Sequence, residues 1–258
     1  AEASLASTSV FYMRHRIEAQ FLQHLKFGTS SAESLTLSFW VKSNKTGTYI
    51  AELYAPDGGN IISKTYTIDT ADTWEKKTIT YDGDTSQSID NDNGTGLEIF
   101  FWYAAGTDYT SGTLNTSWSA ASSADRAVGQ VNLADSTSNY INITGIQLEV
   151  GDTATPFEHR PYDMELARCQ RYFTKTEGVW VSHAVYVTGG RLSTSIQHPT
   201  TMRATPSVTY GTITKTSIST GPTAHRIKKD GFSIWANASS AGGDRNFQID
   251  DFSIDAEL

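Results

Sequence analysis

Sugar rings present apolar C–H faces that stack on indole and phenol rings, while Asn, Asp and Gln satisfy their hydroxyls. A carbohydrate site therefore needs aromatic side chains that no core claims. Trp102, Tyr103 and Tyr109 are the candidates for carbohydrate binding in this chain. Trp102 and Tyr103 are neighbours in one apolar run and point to opposite faces of a strand, so only one of them is expected to lie fully in the core. Trp40 and Trp74 read as packing residues, and Trp118, Trp180 and Trp235 are left open.

Other chemistries find little support. There is no GxSxG elbow, HExxH pair or glycine-rich phosphate loop, and Gly94-Thr95-Gly96 lacks the third glycine and the following helix that a dinucleotide site needs. The six histidines, His15, His24, His159, His183, His198 and His225, show neither His-x-His nor His-x3-His spacing, so no zinc site is expected. Glu149, Glu158, Asp163 and Glu165 gather near one segment, but a glycosidase needs two carboxyl groups set across a cleft. The preferred roles for this group are helix capping and pairing with Arg160 and Arg168. Asp90-Asn91-Asp92-Asn93-Gly94 has the alternating oxygens of a calcium loop. Its glycine arrives one position early, however, and Phe101 stands where a bidentate Glu belongs. A polar turn is preferred there; a structural calcium stays open without assignable ligands, and no other cofactor or catalytic residue is expected. The single Cys169 reads as a small buried apolar residue.

The elements that would position these residues are strands. Val10 to Glu18 alternates with period two, and Leu35, Leu37, Phe39 and Val41 form an apolar stripe opposite Ser34, Thr36, Ser38, Trp40 and Lys42. Further strands are predicted at Thr48 to Tyr54, Ile61 to Ile68, Thr73 to Tyr81, Leu97 to Tyr103 and Tyr140 to Val150. Many short strands spaced by turns favour a two-sheet jelly-roll sandwich over parallel βαβ units. The interval from Ala104 to Asn139 is expected to wrap the sandwich, held by Tyr109, Leu114, Trp118 and Val128; as a recognition loop or as a mere cover it fits equally.

At Gly151-Asp152 the pattern breaks, and Pro156 and Pro161 keep the exit extended. A short helix is predicted from Met164 to Phe173, capped by Asp163. Beyond it, strands are predicted at Trp180 to Val187, Leu192 to Ile196, Pro206 to Ile213, His225 to Lys228, Phe232 to Ala236 and Phe247 to Ile254. Turns at Gly178, Gly189-Gly190, Gly221-Pro222, Asp230-Gly231 and Gly242-Gly243 separate them. The expected organisation is an all-β chain: a sandwich over 1–158, a helical linker over 159–174 and a small β domain over 175–258.

Composition fits that picture and narrows the partners. Of 258 residues only 19% are charged, the aromatic share is 11% and the net charge is −8. That balance argues against nucleic acid as a partner; the run Arg226, Lys228 and Lys229 reads as a solvated hairpin edge. No stretch of about 20 apolar residues is available to cross a bilayer, so no membrane insertion is expected. The sequence opens at Ala1, which reads as a processed or truncated start, or as the end fragment of a longer fibre.

The segment GIQLEVGDTATPFEHRPYDMELARCQRYF, Gly145 to Phe173, resembles a junction in virion proteins of tailed bacteriophages, particularly marine ones. Arg16 to Tyr49, His198 to Tyr210 and Asp251 to Leu258 resemble the same family, so the likeness spans nearly the whole chain. It implies a tail-fibre or other surface-exposed virion protein with a carbohydrate-binding-module-like β-sandwich and no enzymatic activity. It further implies host attachment through surface glycans, other virion proteins as partners, and a homo-oligomer with a trimer favoured. Loops such as Asp82 to Thr95 depart from the family pattern, which is where recognition would differ. The alternatives are a carbohydrate-binding module of a polysaccharide-degrading enzyme, a purely structural decoration or fibre-assembly protein, and, last, a hydrolase of host surface polysaccharide.

Overall fold

A computed structural model describes residues 1–184, 187–239 and 244–257. The chain separates into two compact units, Ala1–Glu158 and His159–Leu258, and strands dominate both.

In the first unit the strands are β1 (Val10–Glu18), β2 (Leu35–Ser43), β3 (Gly47–Ala55), β4 (Asn60–Ile68), β5 (Glu75–Tyr81), β6 (Thr95–Ala105), β7 (Ser119–Ala120) and β8 (Ile141–Val150). They form a five-stranded sheet, β1-β6-β3-β4-β7, and a three-stranded sheet, β5-β2-β8. All pairings are antiparallel, and the chain repeatedly crosses between the sheets, as a jelly roll requires. The period-two pattern decides which residues meet between the sheets. Leu35, Leu37, Phe39 and Val41 of β2 pack against Tyr49, Ala51 and Leu53 of β3 and Leu97, Ile99, Phe101 and Tyr103 of β6. Each such fully buried aliphatic or phenyl group contributes about 1.5–3 kcal/mol. Phe101 and Tyr66 set their ring edges against Phe39, at centroid distances of 5.0 and 5.1 Å.

Between β6 and β8 the chain makes the long excursion foreseen in the sequence, including the one-turn helix α1 (Thr107–Thr110). It crosses the outer face of the five-stranded sheet and seals it with a second apolar cluster of Ile50, Phe100, Trp102 and Ala127, against which Tyr109 and Leu114 pack. Its firmest anchors are Ala127 and Leu133, both buried, in place of the expected Val128. Trp118 is another tie: its indole N–H donates to the Asp82 carbonyl at 2.6 Å and its ring meets Phe27 edge-on.

The second unit begins with α2 (Tyr162–Gln170). Asp163 does not cap it. The cap position is Pro161 and Asp163 sits in the first turn, where its charge suits the helix dipole. No residue of α2 is buried, so Cys169, expected inside, is exposed. There follow β9 (Phe173–Ala184), β10 (Arg191–Gln197), β11 (Ser207–Tyr210), β12 (Ile213–Thr216), β13 (Ile218–His225), β14 (Gly231–Ala238) and β15 (Asp244–Asp255). One sheet is β10-β14-β13; in the other, β15 pairs with β9 and with both β11 and β12. Phe232, Ile234, Phe247, Ile249, Phe252 and Ile254 form the core between them.

Several boundaries here differ from expectation. The predicted strand from His225 to Lys228 is in fact the end of β13 and the turn after it, with Arg226 in the left-handed region at φ 53. Gly221-Pro222, read as a turn, lies inside β13, which is tolerated because β13 is an edge strand with no ladder to interrupt on its outer side. Gly178 likewise stands inside β9. A Cβ there would fall 1.8 Å from the Ile249 carbonyl oxygen, so glycine serves a close approach of two strands and not a chain reversal. Pro206 to Ile213 divides between β11 and β12. The turn at Gly242-Gly243 and the Val185-Tyr186 part of the predicted strand lie outside the described residues.

Candidate functional site

The aromatic residues singled out in the sequence divide as follows. Trp102 and Tyr103 do point to opposite faces of β6, yet both are buried, with 1% and 5% of their surfaces exposed. Tyr103 faces the sandwich core, where burial raises its hydroxyl pKa well above the ordinary value. Trp102 faces outward and is covered by the 106–139 excursion, its ring 5.6 Å from that of Tyr109. Neither offers a face to a sugar, which corrects the expectation that one of the two would stay open: a second small core lies on the far side of the sheet. Tyr109 keeps an accessible side. It borders an open cleft of about 710 Å³ with Asp108, Ser111, Ser122 and Ser123.

Charge locks this cover in place. Glu52 on β3 is fully buried, and Arg126 from the excursion reaches it, Nε donating to the two carboxylate oxygens at 3.0 and 3.1 Å and Nη2 donating to Oε1. Burial pushes the Glu52 carboxyl upward against the pull of Arg126, while Arg126 is held protonated by Glu52. The Arg126 guanidinium also lies over the rings of Phe100 and Trp102, at 4.8 and 5.2 Å. The buried Trp102 indole N–H adds to the downward pull on Glu52 without reaching ordinary hydrogen-bond geometry.

The opposite side of the sandwich is built differently. On the outer face of β5-β2-β8, β2 presents Thr36, Ser38, Trp40 and Lys42. Trp40 stands across from Lys76 on β5 and Thr144 on β8, and Lys42 across from Asn142. The segment after β8 folds back over one end only. Thr36 Oγ1 donates to the Gly151 carbonyl at 2.7 Å, the Glu158 amide donates to Gln147 Oε1 at 2.8 Å, and the Thr155 amide donates to Glu149 at 3.1 Å. Thr36 and Ser38 are thereby buried, while Trp40 remains 43% exposed.

Gly145 shapes the open end. It interrupts the β2–β8 register between Ser38 and Trp40 and takes φ 58, the left-handed conformation of a bulge. A Cβ added there would lie 3.4 Å from Trp40 Cδ1 and 3.8 Å from Phe157, so both rings stand close to the bare backbone of Gly145.

Across the face, Trp74 stands just before β5 with 42% of its surface exposed. The Lys42 ammonium lies 5.9 Å from its ring centre and 6.0 Å from that of Tyr140. The loop carrying Trp74 is pinned at several points. The Tyr140 hydroxyl donates to Asp72, the Asp72 amide donates to the Ser43 carbonyl, and Glu75 accepts from the amides of Asp69 and Thr70. Desolvation pushes the Glu75 carboxyl up, but Lys77 together with the Thr70 and Asp69 amides holds it down at about 2. Glu149 is likewise lowered, by Gln147 and Thr155.

This face was missed in the sequence because Trp40 and Trp74 were read as packing residues; the signal was the parity of Trp40, out of phase with the stripe Leu35, Leu37, Phe39 and Val41. Two solvent-open indoles among Lys, Thr, Asn and Gln side chains can stack a ring and satisfy its hydroxyls. Elsewhere, Glu165 pairs with Arg160 and Arg168 at 3.2 and 3.5 Å. Asp92 Oδ1 accepts the Gly94 amide at 2.8 Å, closing a polar turn. Among the described residues no three His, Cys, Asp or Glu side chains converge as metal ligands.

No protein-family model and no curated protein matches the chain. Among solved structures, recombinant discoidin II of Dictyostelium discoideum is similar at 8% identity over 89% of this chain and 76% of its own, with a TM-score of 0.23. The wild-type discoidin II of the same organism gives 9% identity over 88% of this chain and 73% of its own, again at 0.23. At that TM-score neither likeness transfers a ligand or a residue role.

Proposed function

We propose that the protein is a non-enzymatic glycan-binding protein that holds a carbohydrate chain on the outer face of β5-β2-β8. It serves in a bacteriophage appendage, a tail fibre or comparable surface part of the virion, that attaches to host surface glycans. The observation that carries the binding reading is the pair of open indoles, Trp40 and Trp74, on a sheet face whose other end is covered. Stacking supplies affinity there, and Thr144 and Asn142 supply hydrogen-bonding partners. The carboxylates bordering the face, Glu149 and Asp72, are engaged by Thr155 and Tyr140, which suits binding better than acid–base chemistry. The appendage reading rests on the sequence resemblance of Gly145 to Phe173 and its three companion stretches.

A second reading, a fibre-assembly protein without a ligand, is favoured by α2. A nine-residue helix that buries none of its residues, with Tyr162, Met164 and Leu166 exposed, gains little from packing within its own unit. A glycan array read beside the solution mass separates the two. Binding that Trp40→Ala or Trp74→Ala abolishes supports the first reading. An oligomer that binds no glycan overturns it in favour of the second.

A further inference from the structure

The glycan face sets two lysines among its indoles, with the carboxylates of Glu149 and Asp72 at its border. Trp40 stands opposite Lys76, and the next outward residue on β2, Lys42, stands beside Trp74, so indoles occupy one diagonal of a four-residue lattice and ammonium groups the other. Diagonal neighbours across an antiparallel pair stand about 7–8 Å apart at the backbone, close enough for two flexible ammonium groups to reach one polyanion. Among the described residues neither Lys42 nor Lys76 takes part in an ion pair. Of the nearby acids, Glu75 and Asp69 pair with Lys77, while Asp72 and Glu149 accept from the neutral Tyr140 and Thr155 hydroxyls and keep their charge, that of Glu149 acting on Lys76 without forming an ion pair. The chain as a whole is acidic, with net charge −8, which makes two lysines held in no ion pair beside two open indoles a local departure from the rest of the sequence.

Resting on the glycan-binding reading above, we propose that the ligand of this face is an acidic polysaccharide. Its carboxylate or sulfate groups are held by the Lys42 and Lys76 ammonium groups while its sugar rings stack on Trp40 and Trp74. The ammonium groups recognise the anion as point charges, so carboxylate and sulfate polymers are both accommodated.

The test uses the intact chain against polygalacturonate and its carboxyl-reduced form, and against heparin and its desulfated, carboxyl-reduced and N-acetylated form, at about 0.05 M and about 0.5 M salt. The expected result is binding to an acidic polymer that is at least about tenfold tighter than to its neutral counterpart, and that weakens at the higher salt. The double variant K42Q/K76Q should remove the preference while leaving the thermal unfolding midpoint unchanged. Equal binding to acidic and neutral forms overturns the acidic assignment and leaves glycan binding standing, as does a preference that survives K42Q/K76Q. Binding to none of the four polymers, with an array of neutral glycans positive, overturns the acidic assignment alone. No binding to any glycan overturns both readings.

Discussion

On the outer face of the five-stranded sheet, Phe100 and Trp102 lie beneath the 106–139 excursion. On the outer face of the three-stranded sheet, Trp40 and Trp74 lie in solvent. Both faces carry aromatics and charged groups in alternation, and strand parity treats them alike. What separates them is what the chain brings from elsewhere: Arg126 arrives over the first face and neutralises Glu52, whereas the segment after β8 covers Thr36 and Ser38 on the second, reaches Gly145 with Phe157 and leaves Trp40 open. An outward-pointing aromatic becomes core or open surface according to whether a distant segment covers it.

The contrast breaks most severely if the cover is removed. Arg126→Ala leaves Glu52 buried without its cation and is expected to cost about 3–5 kcal/mol in denaturant unfolding. Trp102→Ala, which empties the space under the cover, is expected to cost about 3–5 kcal/mol as well. Losses below about 1 kcal/mol for both would mean that the excursion is not bound to the sheet as described.

Trp40→Ala should do the reverse. Less than about 1 kcal/mol of stability is expected to go, since the ring is 43% exposed, while glycan affinity falls about tenfold or more. Titration calorimetry beside thermal unfolding reads both, and a large destabilisation would return Trp40 to the packing role first assigned to it. Gly145→Ala comes next. With φ at 58 the new side chain strains the backbone by about 1 kcal/mol, whereas its Cβ meets Trp40 Cδ1 only at ordinary contact distance, so unfolding should shift more than binding.

The smallest effect concerns acid. The Glu75 pKa is lowered in the folded protein from its ordinary 4.5 to about 2. Its stabilisation of the loop bearing Trp74 is therefore complete above about pH 4.5 and is lost as the pH falls toward 2. Trp74 fluorescence should change across that window in the wild type and be already altered at neutral pH in Glu75→Gln; a flat response in the wild type would contradict the assignment.

Much of the first unit was legible because its strands keep strict period two. Val10 to Glu18 matches β1, and Leu35 to Val41 supplies the core stripe of β2. The site was less legible. Trp102 and Tyr103 were rightly placed on opposite faces, but nothing local announces that residues 106–139 return to cover one of them. Trp40 stood in the polar phase of its strand all along, and its place in a stretch that matches the family pattern, not its parity, led to a packing role. In the second unit glycine and proline misled: Gly178 and Gly221-Pro222 punctuate loops in most sequences, whereas here they admit a close strand approach and mark an edge strand. Cys169 was expected inside because neighbouring residues are apolar, yet α2 has no packed face to receive it.

The placement of β15 also bears on the order in which the molecule assembles. β15 is the shared partner of β9, β11 and β12, so one of the second unit's two sheets exists only through it, and it follows every strand that it joins. During translation the first unit can close once Glu158 has emerged, because all of its strands precede that point. β9 must wait, unpaired, while about 60 further residues are made, an interval of several seconds at ribosomal speed. The face bearing Trp40 and Trp74 is thus complete while the second unit is still an open chain, and a chain terminated before Asp244 has a folded first unit and an unfinished second.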